Sequence, residues 1–389
     1  LAVKQQMIAD VPIGAFLSGG IDSSIITSLM QSNSTQKIKT FTIGFNQEDF
    51  NEAQHAKAVA AHLQTDHSEL YIDSHDLLSV IPRLPELYDE PFGDSSQIPT
   101  YLISRFAKEN VTVALSGDGG DELFGGYNRY QITRKYWSTL KMVPPALRSM
   151  LARGILALSP NTVEKIYSSL AQNIKYSNLS DKLYKGANVL ASKDIMSLYK
   201  SLVSSCNDPD SMVIGGNESN QYFDSSMEQF QSYDDLSLMM CMDLLTYLPD
   251  DILTKVDRAA MGVSLETRVP MLDHQVVEFS LQLPQQYKIR DNETKWLLRQ
   301  VLYRHVPKDL IERPKAGFAM PIGLWLRTTL KEWADDLLNK ETLGNQGFFD
   351  AKKIRERWLQ HQSGSHNWEH FLWNVLMFQS WYQAIHEKN

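Results

Sequence analysis

Leu17-Ser18-Gly19-Gly20-Ile21-Asp22-Ser23-Ser24 follows the short apolar run Gly14-Ala15-Phe16-Leu17 and leads into a segment, Ile21–Met30, with helical spacing. The order is strand, glycine turn, helix. Glycines let backbone approach an anion closely, and the free amides at a helix start, helped by the helix dipole, bind phosphate. A plain strand-turn-helix junction has a similar composition, because Ser and Asp are common helix caps. The loop lacks the lysine of GxxxxGK[ST], so it is not the usual P-loop of phosphoryl-transfer enzymes. Asp22 sets a carboxylate among the phosphate binders, which makes sense if Mg²⁺ bridges it to pyrophosphate.

The pattern before and after this loop repeats. Leu1–Ala9 reads as a helix. Lys39–Phe45 (KTFTIGF) reads as a buried strand, Glu52–Leu63 as an amphipathic helix and Ser68–Ile72 as a third strand. Asp76–Ile81 and Ile98–Lys108 read as helical, and Val111–Leu115 as a fourth strand that runs into a second glycine loop. Alternating strands and helices predict an α/β, doubly wound parallel sheet with right-handed crossovers. Ligands of such sheets lie beyond the carboxyl ends of the strands, where the strand order reverses. If the two loop-bearing strands are neighbours, both loops face one crevice. From Tyr130 the pattern becomes mostly helical, with helices expected at Leu140–Leu158, Asn161–Leu170, Leu236–Leu248, Trp296–Arg304 and Trp368–His386, and a polar loop at Asn207–Asn220. No clean linker interrupts the chain, so residues 1–130 are read as the nucleotide-binding sheet and 131–389 as a mainly helical part of one unit.

The second loop is Ser116-Gly117-Asp118-Gly119-Gly120-Asp121-Glu122, continuing Leu123-Phe124-Gly125-Gly126-Tyr127. It gathers three carboxylates. A solvated turn has that composition too, but acidic groups repel a polyphosphate unless a cation intervenes. The site is therefore expected to hold Mg²⁺, an amine nucleophile, or both.

The 389 residues suffice for one large core or two domains. A net charge of −8 disfavours a broad nucleic-acid surface. No apolar run is long enough to span a membrane and no signal peptide is evident. The two cysteines, Cys206 and Cys241, form neither a CxxC nor a disulfide framework, which suits a reducing cytoplasm; both are expected as small buried hydrophobes. The chain opens at Leu1, inside an expected helix, so a preceding segment is expected.

SGGIDSS, followed about a hundred positions later by SGDGGDELFGGY, resembles the synthetase domain of glutamine-dependent asparagine synthetases, within the PP-loop (N-type) ATP pyrophosphatases. The resemblance continues in Leu253–Asp273 (LTKVDRAAMGVSLETRVPMLD) and Arg313–Pro321 (RPKAGFAMP), and so reaches from about residue 10 to 330. It implies an adenine-nucleotide α-hydrolase-like fold with a strand order like flavodoxin's, and the first and fourth strands side by side. It also implies a reaction: a carboxylate, most simply that of L-aspartate, attacks the α-phosphate of ATP, pyrophosphate leaves with Mg²⁺, and ammonia converts the acyl-adenylate to an amide. By position, Ser18, Gly19, Gly20, Asp22, Ser23 and Ser24 match the pyrophosphate loop. Leu17 and Ile43 match positions whose backbone contacts adenosine, and Ser116 and Gly117 match further nucleotide contacts. Asp22 and Asp121 match the metal-binding aspartates. Asp118 stands where many family members have Glu, a group thought to bind and deprotonate ammonia; the shorter carboxylate changes the reach. Lys315 matches the catalytic lysine, a cation suited to the charge developing on the α-phosphate.

Asp257, Arg258, Glu266, Arg268 and Asp273 form a third charged group, read either as part of the acceptor site or as a buried ion-pair scaffold. His366-Asn367-Trp368-Glu369-His370 fits the zinc pattern HxxEH but also reads as an ordinary helix start. The family's N-terminal glutaminase, with its nucleophilic cysteine, has no match here, so free ammonia is the expected nitrogen source, with a glutaminase domain or subunit expected upstream and a homodimer possible. The resemblance also admits relatives that amidate sugar carboxylates such as uronic acids, and a nucleotide-binding pseudoenzyme.

Overall fold

The computed structural model describes residues 1–45, 53–157, 186–187, 189–206, 208–218, 232–312 and 320–386. The chain folds into two compact units. The first comprises Leu1–Glu90, Asp94–Asn128 and Leu236–Met320; the second comprises Pro91–Gly93, Arg129–Asp235 and Pro321–Asn389.

The first unit is built on a parallel sheet of five strands: β1 (Ile13–Phe16), β2 (Lys39–Phe45), β3 (Asp66–Ile72), β4 (Val113–Leu115) and β5 (Glu266–Arg268). Their order is β3-β2-β1-β4-β5. The expected adjacency of the first and fourth strands holds, with Ala15 opposite Leu115. The flavodoxin-like order does not hold. The chain steps outward from β1 to β2 to β3 and then returns to the other side of β1, which is the dinucleotide-binding order and puts the reversal point between β1 and β4.

Alternation along the central strands creates two apolar faces. Ala15, Leu17, Val113 and Leu115 point to one, with Ile25, Ile26 and Met30 of α2 (Ile21–Ser32), Ala56, Val59 and Ala60 of α3 (Ala53–Leu63), and Leu298 and Leu302 of α7 (Trp296–Leu302). Phe16, Phe41 and Ala114 point to the other, with Ala107 of α4 (Gln97–Lys108) and Ala260 of α6 (Thr254–Met261). The sheet is therefore covered by helices on both sides, as doubly wound sheets are.

Two boundaries differ from expectation for physical reasons. The first helix, α1, covers only Ala2–Gln6, and the Arg268 guanidinium takes the carbonyls of Gln6 and Ile8, each at 2.8 Å. The helix expected over Leu140–Leu158 begins only at Pro145 and runs to Leu156, while Leu140 ends the preceding helix Asn128–Leu140, because the pyrrolidine rings of Pro144 and Pro145 cannot continue a helix from before them. In the second unit Arg148 is buried across that break, bonding the carbonyls of Val143 (3.1 Å) and Ser192 (2.8 Å) with its guanidinium over the Trp137 ring.

The second unit's described residues are helical apart from turns and a bridge between Val213 and Phe349. That bridge ties part of the expected 207–220 loop to the chain near Phe348, whose carbonyl accepts the Ile214 amide at 2.8 Å. The helix expected at Asn161–Leu170 lies outside the described residues. Cys241 is buried as expected, whereas Cys206 is only partly buried. No helix among the described residues is long and apolar enough to cross a membrane.

Candidate active site

β1 and β4 deliver their two loops to the reversal point of the sheet. Leu17 extends β1 by one bond, its amide donating to the Phe41 carbonyl at 2.9 Å. The chain then turns at Gly19, whose φ of +72° and whose packing against the His55–Ala56 backbone both exclude a side chain: a Cβ there would lie 2.8 Å from the Ala56 nitrogen. The turn holds itself in shape. The Ser23 hydroxyl accepts the Ser18 amide at 3.1 Å and meets the Ser18 hydroxyl at 3.0 Å, and the Ser18 hydroxyl accepts the Gly20 amide at 3.3 Å. Gly20 caps α2 in an extended conformation without a side-chain bond, and Asp22 occupies the first turn, where the helix dipole favours a negative charge.

The second loop closes directly on the first. A Cβ on Gly117 would lie 2.7 Å from the Asp22 carbonyl carbon and the Ser23 nitrogen, so only glycine lets the two backbones approach this far. The short helix α5 (Gly120–Phe124) then carries Asp121 and Glu122.

Between the loops stands a residue the sequence reading missed. The Lys295 ammonium bonds the Asp22 carboxylate and lies 2.7 Å from Asp121 Oδ1. Its side chain is 5% exposed, against 19% and 17% for the two carboxylates. Burial opposes its charge, but Asp22 and Asp121 outweigh burial and hold the ammonium above the usual lysine value. Lys295 has a left-handed backbone (φ 53°) and caps the start of α7. Non-glycine residues held there cost about 1–3 kcal/mol and cluster at functional sites.

Asp118, half-buried, lies in the same loop as Asp121. The Ser116 hydroxyl donates to its Oδ2. Burial pushes the Asp118 carboxyl up. The Ser116 bond and the charges of Lys255 and Lys295 pull it back, while Asp121 adds to the rise. Glu122 is pushed up to about 7, chiefly by burial and against the bond it accepts from the Tyr127 hydroxyl at 2.6 Å. The Tyr127 ring packs edge-on against Tyr247.

The structure thus brings together Ser18, Gly19, Gly20, Asp22, Ser23, Ser24, Ser116, Gly117, Asp118 and Asp121. Ile43 is buried in β2, next to β1. Lys315, the predicted catalytic lysine, lies outside the described residues. The third charged group is dispersed. Asp257 is exposed, and Arg258 makes a surface pair with Asp89 at 2.6 Å. Glu266 and Arg268 pair on the edge strand at 2.6 Å, and Asp273 caps the helix His274–Gln282. These are structural roles, and most of the group is not buried. HxxEH does not converge either: His366 is buried and stacked on Trp368, His370 is 80% exposed at its side chain, and Glu369 accepts the Gly323 amide at 3.0 Å.

Whether a divalent cation fits is a question of donor chemistry. Asp22 and Asp121 are hard oxygen donors that already converge on one cation, the Lys295 ammonium. Mg²⁺ typically uses one or two carboxylates together with substrate phosphates, and this pair meets that requirement.

Residues 1–383 match the family model described as asparagine synthase. The chain is 32% identical over 387 residues to a Bacillus subtilis (strain 168) protein named asparagine synthetase [glutamine-hydrolyzing] 1, covering all of this chain and 58% of that protein. It is also 32% identical to a putative asparagine synthetase [glutamine-hydrolyzing] of Mycobacterium bovis, covering 99% of this chain and 56% of that protein. A protein of Methanocaldococcus jannaschii with a similar name is 38% identical over 201 residues, 47% of this chain and 38% of that protein. The chain therefore spans little more than half the length of its full-length matches.

Proposed function

The chain belongs to the asparagine synthase family, and from that premise we propose that it carries out ATP-dependent amide synthesis, with L-aspartate as the acceptor carboxylate and asparagine as product. The observation that supports this most is the meeting of two glycine loops at the β1/β4 reversal point around Asp22, Asp121 and Lys295. Phosphate binders, carboxylates and a buried cation in one crevice suit a reaction that separates pyrophosphate from an adenylate.

In this reading the acceptor carboxylate oxygen bonds the α-phosphorus of ATP and the bond to pyrophosphate breaks. Ammonia then attacks the acyl carbon, the C–O bond to AMP breaks, and one proton is released. The amides and hydroxyls of Ser18, Gly19, Gly20, Ser23 and Ser24 hold the leaving pyrophosphate. The Leu17 and Ile43 backbones line the adenosine, and Ser116 and Gly117 complete the nucleotide contacts. Asp22 and Asp121 would hold Mg²⁺, which would neutralise charge on the pyrophosphate. Lys295 adds a fixed positive charge from the protein itself, and Lys315 a second near the α-phosphate. Asp118 orients ammonia and takes its proton. The relatives' names couple synthesis to glutamine hydrolysis. We place the glutaminase that would deliver ammonia in the region of those proteins that this chain does not span.

The test measures pyrophosphate and amide together, with ammonium chloride as nitrogen source and L-aspartate or a uronic acid as acceptor. Equal amounts of pyrophosphate and asparagine, dependent on aspartate, are expected. Release driven by uronic acids and not by aspartate would transfer the proposal to a sugar acceptor. No carboxylate-dependent release at all would leave a nucleotide-binding protein.

A further inference from the structure

The Lys295 ammonium stands where a divalent cation would bridge Asp22 and Asp121, and the surrounding chain fixes it there. Its backbone is tied from both sides. The Trp296 amide donates to the Lys288 carbonyl at 3.0 Å, and the Lys295 carbonyl accepts the Arg299 amide at 3.0 Å in the first turn of α7. Arg290 and Glu293 exchange amide-to-carbonyl bonds of 3.0 and 2.7 Å across the turn, and the Arg290 guanidinium lies 4.9 Å from the Trp296 ring centre. Asp291, Asn292 and Lys295 all have left-handed backbones, with φ of 50°, 65° and 53°. Such residues persist only where the surroundings over-determine them. Glycines close the sides. A Cβ on Gly126 would overlap both Asp121 Oδ1 and Lys295 Cε, and one on Gly120 would overlap the Asp22 carboxylate. Gly125 packs the second loop on the same turn: a Cβ there would lie 3.2 Å from Ile289 Cγ1 and 3.7 Å from Lys288 Cβ.

A free divalent cation that took this place would have to push the ammonium off both carboxylates. The fixed turn gives the ammonium no short retreat, and a buried cation stripped of its partners is strongly unfavourable. A nucleotide changes that balance. Its phosphate oxygens offer the displaced ammonium a new anionic partner while they also bind the metal. We propose that Lys295 is an internal counter-ion that closes the Asp22–Asp121 pair to free divalent cations, so that the pair accepts the metal only together with a nucleoside triphosphate. By linkage, metal and nucleotide then raise each other's affinity by the same factor. This role precedes any bond making and is separate from the charge that Lys295 lends to the leaving pyrophosphate. The inference rests on the reading above that Asp22 and Asp121 are the metal-binding carboxylates.

The probe is Mn²⁺ in place of Mg²⁺, counted per chain by equilibrium dialysis of the whole chain. It is run alone and with α,β-methylene-ATP, whose bridging carbon stops pyrophosphate from leaving. The wild type should retain Mn²⁺ and nucleotide together. It should bind Mn²⁺ alone at least about tenfold more weakly than Lys295→Met does, a low bound for removing one adjacent unit charge from a partly screened site. Asp22→Asn added to Lys295→Met should abolish that gain, which places the gained metal on the pair. A merely structural role for Lys295 predicts a lower melting temperature with the affinity for Mn²⁺ unmoved, and that result overturns the inference. So does a wild type that retains no Mn²⁺ even with the nucleotide. If Lys295→Met does not fold, the wild type decides: Mn²⁺ bound as tightly without the nucleotide as with it overturns the inference. A wild type that excludes free Mn²⁺ but releases no pyrophosphate with any carboxylate would remove the proposed reaction and leave this inference standing. Amide formation by a wild type that binds free Mn²⁺ tightly would do the reverse.

Discussion

Replacing Lys295 by Met removes the charge that holds the two loops together while keeping most of the side chain's volume. The Asp22 and Asp121 oxygens both touch the same nitrogen, so they lie within about 5 Å of each other. Without the ammonium they repel by about 3 kcal/mol at an effective dielectric near 20. That agrees with the roughly 3–5 kcal/mol typical when one partner of a buried ion pair is deleted. For a unit of this size the melting temperature should fall by about 6–12 °C at pH 7. The sign of the pH dependence follows. In the variant the folded state raises the affinity of one of these carboxylates for a proton, so the destabilisation is largest at pH 7 and shrinks towards pH 5, where a proton relieves the repulsion. Mg²⁺ should raise the melting temperature of the variant more than that of the wild type, because a divalent cation can take the position between two carboxylates that no longer have a counter-charge. Differential scanning fluorimetry over pH 5–8, with and without Mg²⁺ (pH window of about three units, set by the carboxylate range), checks all three. A variant melting within about 2 °C of wild type at pH 7, with no response to pH, would show that the ammonium does not bridge the pair and refute the reasoning.

Two further outcomes follow from the same geometry. Asp118→Asn should lower ammonia-dependent amide formation by about 10²–10⁴-fold, the range for losing a proton acceptor, while aspartate-dependent exchange of pyrophosphate into ATP falls far less; equal loss of both would remove Asp118 from the nitrogen half-reaction. In the second unit, His361 is fully buried, its Nε2 donating to the Gly323 carbonyl at 3.1 Å and its Nδ1 accepting the Trp368 amide at 3.2 Å. Burial, helped by the Arg327 charge, holds its pKa below the usual histidine value of 6.5. The unfolded chain therefore takes up a proton that the folded state refuses, and stability present above pH 6.5 is lost below it, by up to about 1.4 kcal/mol per pH unit. Hydrogen exchange of the Glu369–His386 helix should accelerate over that range, and His361→Gln should flatten the response.

How legible each part was depended on whether its cause is local. β1 and β4 are apolar runs ending at glycine loops and β2 is a strand-like run of its own, so their existence, and the crevice at the paired loops, could be read from neighbouring residues. β5 could not. Glu266-Thr267-Arg268 has no strand signal of its own and is a strand only because it pairs with Val113–Leu115. Strand order was misread for a related reason: alternation of strands and helices requires parallel pairing but does not say on which side of β1 each crossover lands. Lys295 was invisible for a third reason. In Asp291-Asn292-Glu293-Thr294-Lys295 it is a lone lysine in a polar turn, the commonest surface composition, and its partners Asp22 and Asp121 lie far off in the chain, the farther of them 273 positions away. A left-handed residue directly before a helix leaves no mark when it is not glycine. The Asp94–Lys255 pair spans 161 positions and was equally hidden. Lys295 fell outside the quoted motifs and Lys255 stood inside one without being singled out, because each owes its place to tertiary contacts rather than to its neighbours in the chain.

The hidden Lys295 changes what the acidic loop means. Read locally, Asp118, Asp121 and Glu122 looked like charges waiting for an external cation. In the folded chain, the Asp22–Asp121–Lys295 and Asp94–Asp251–Lys255 groups each carry two carboxylates and one ammonium, so each is formally short by one positive charge. A triphosphate entering beside the first group deepens that deficit, which gives a physical reason for a metal-bound nucleotide that owes nothing to resemblance.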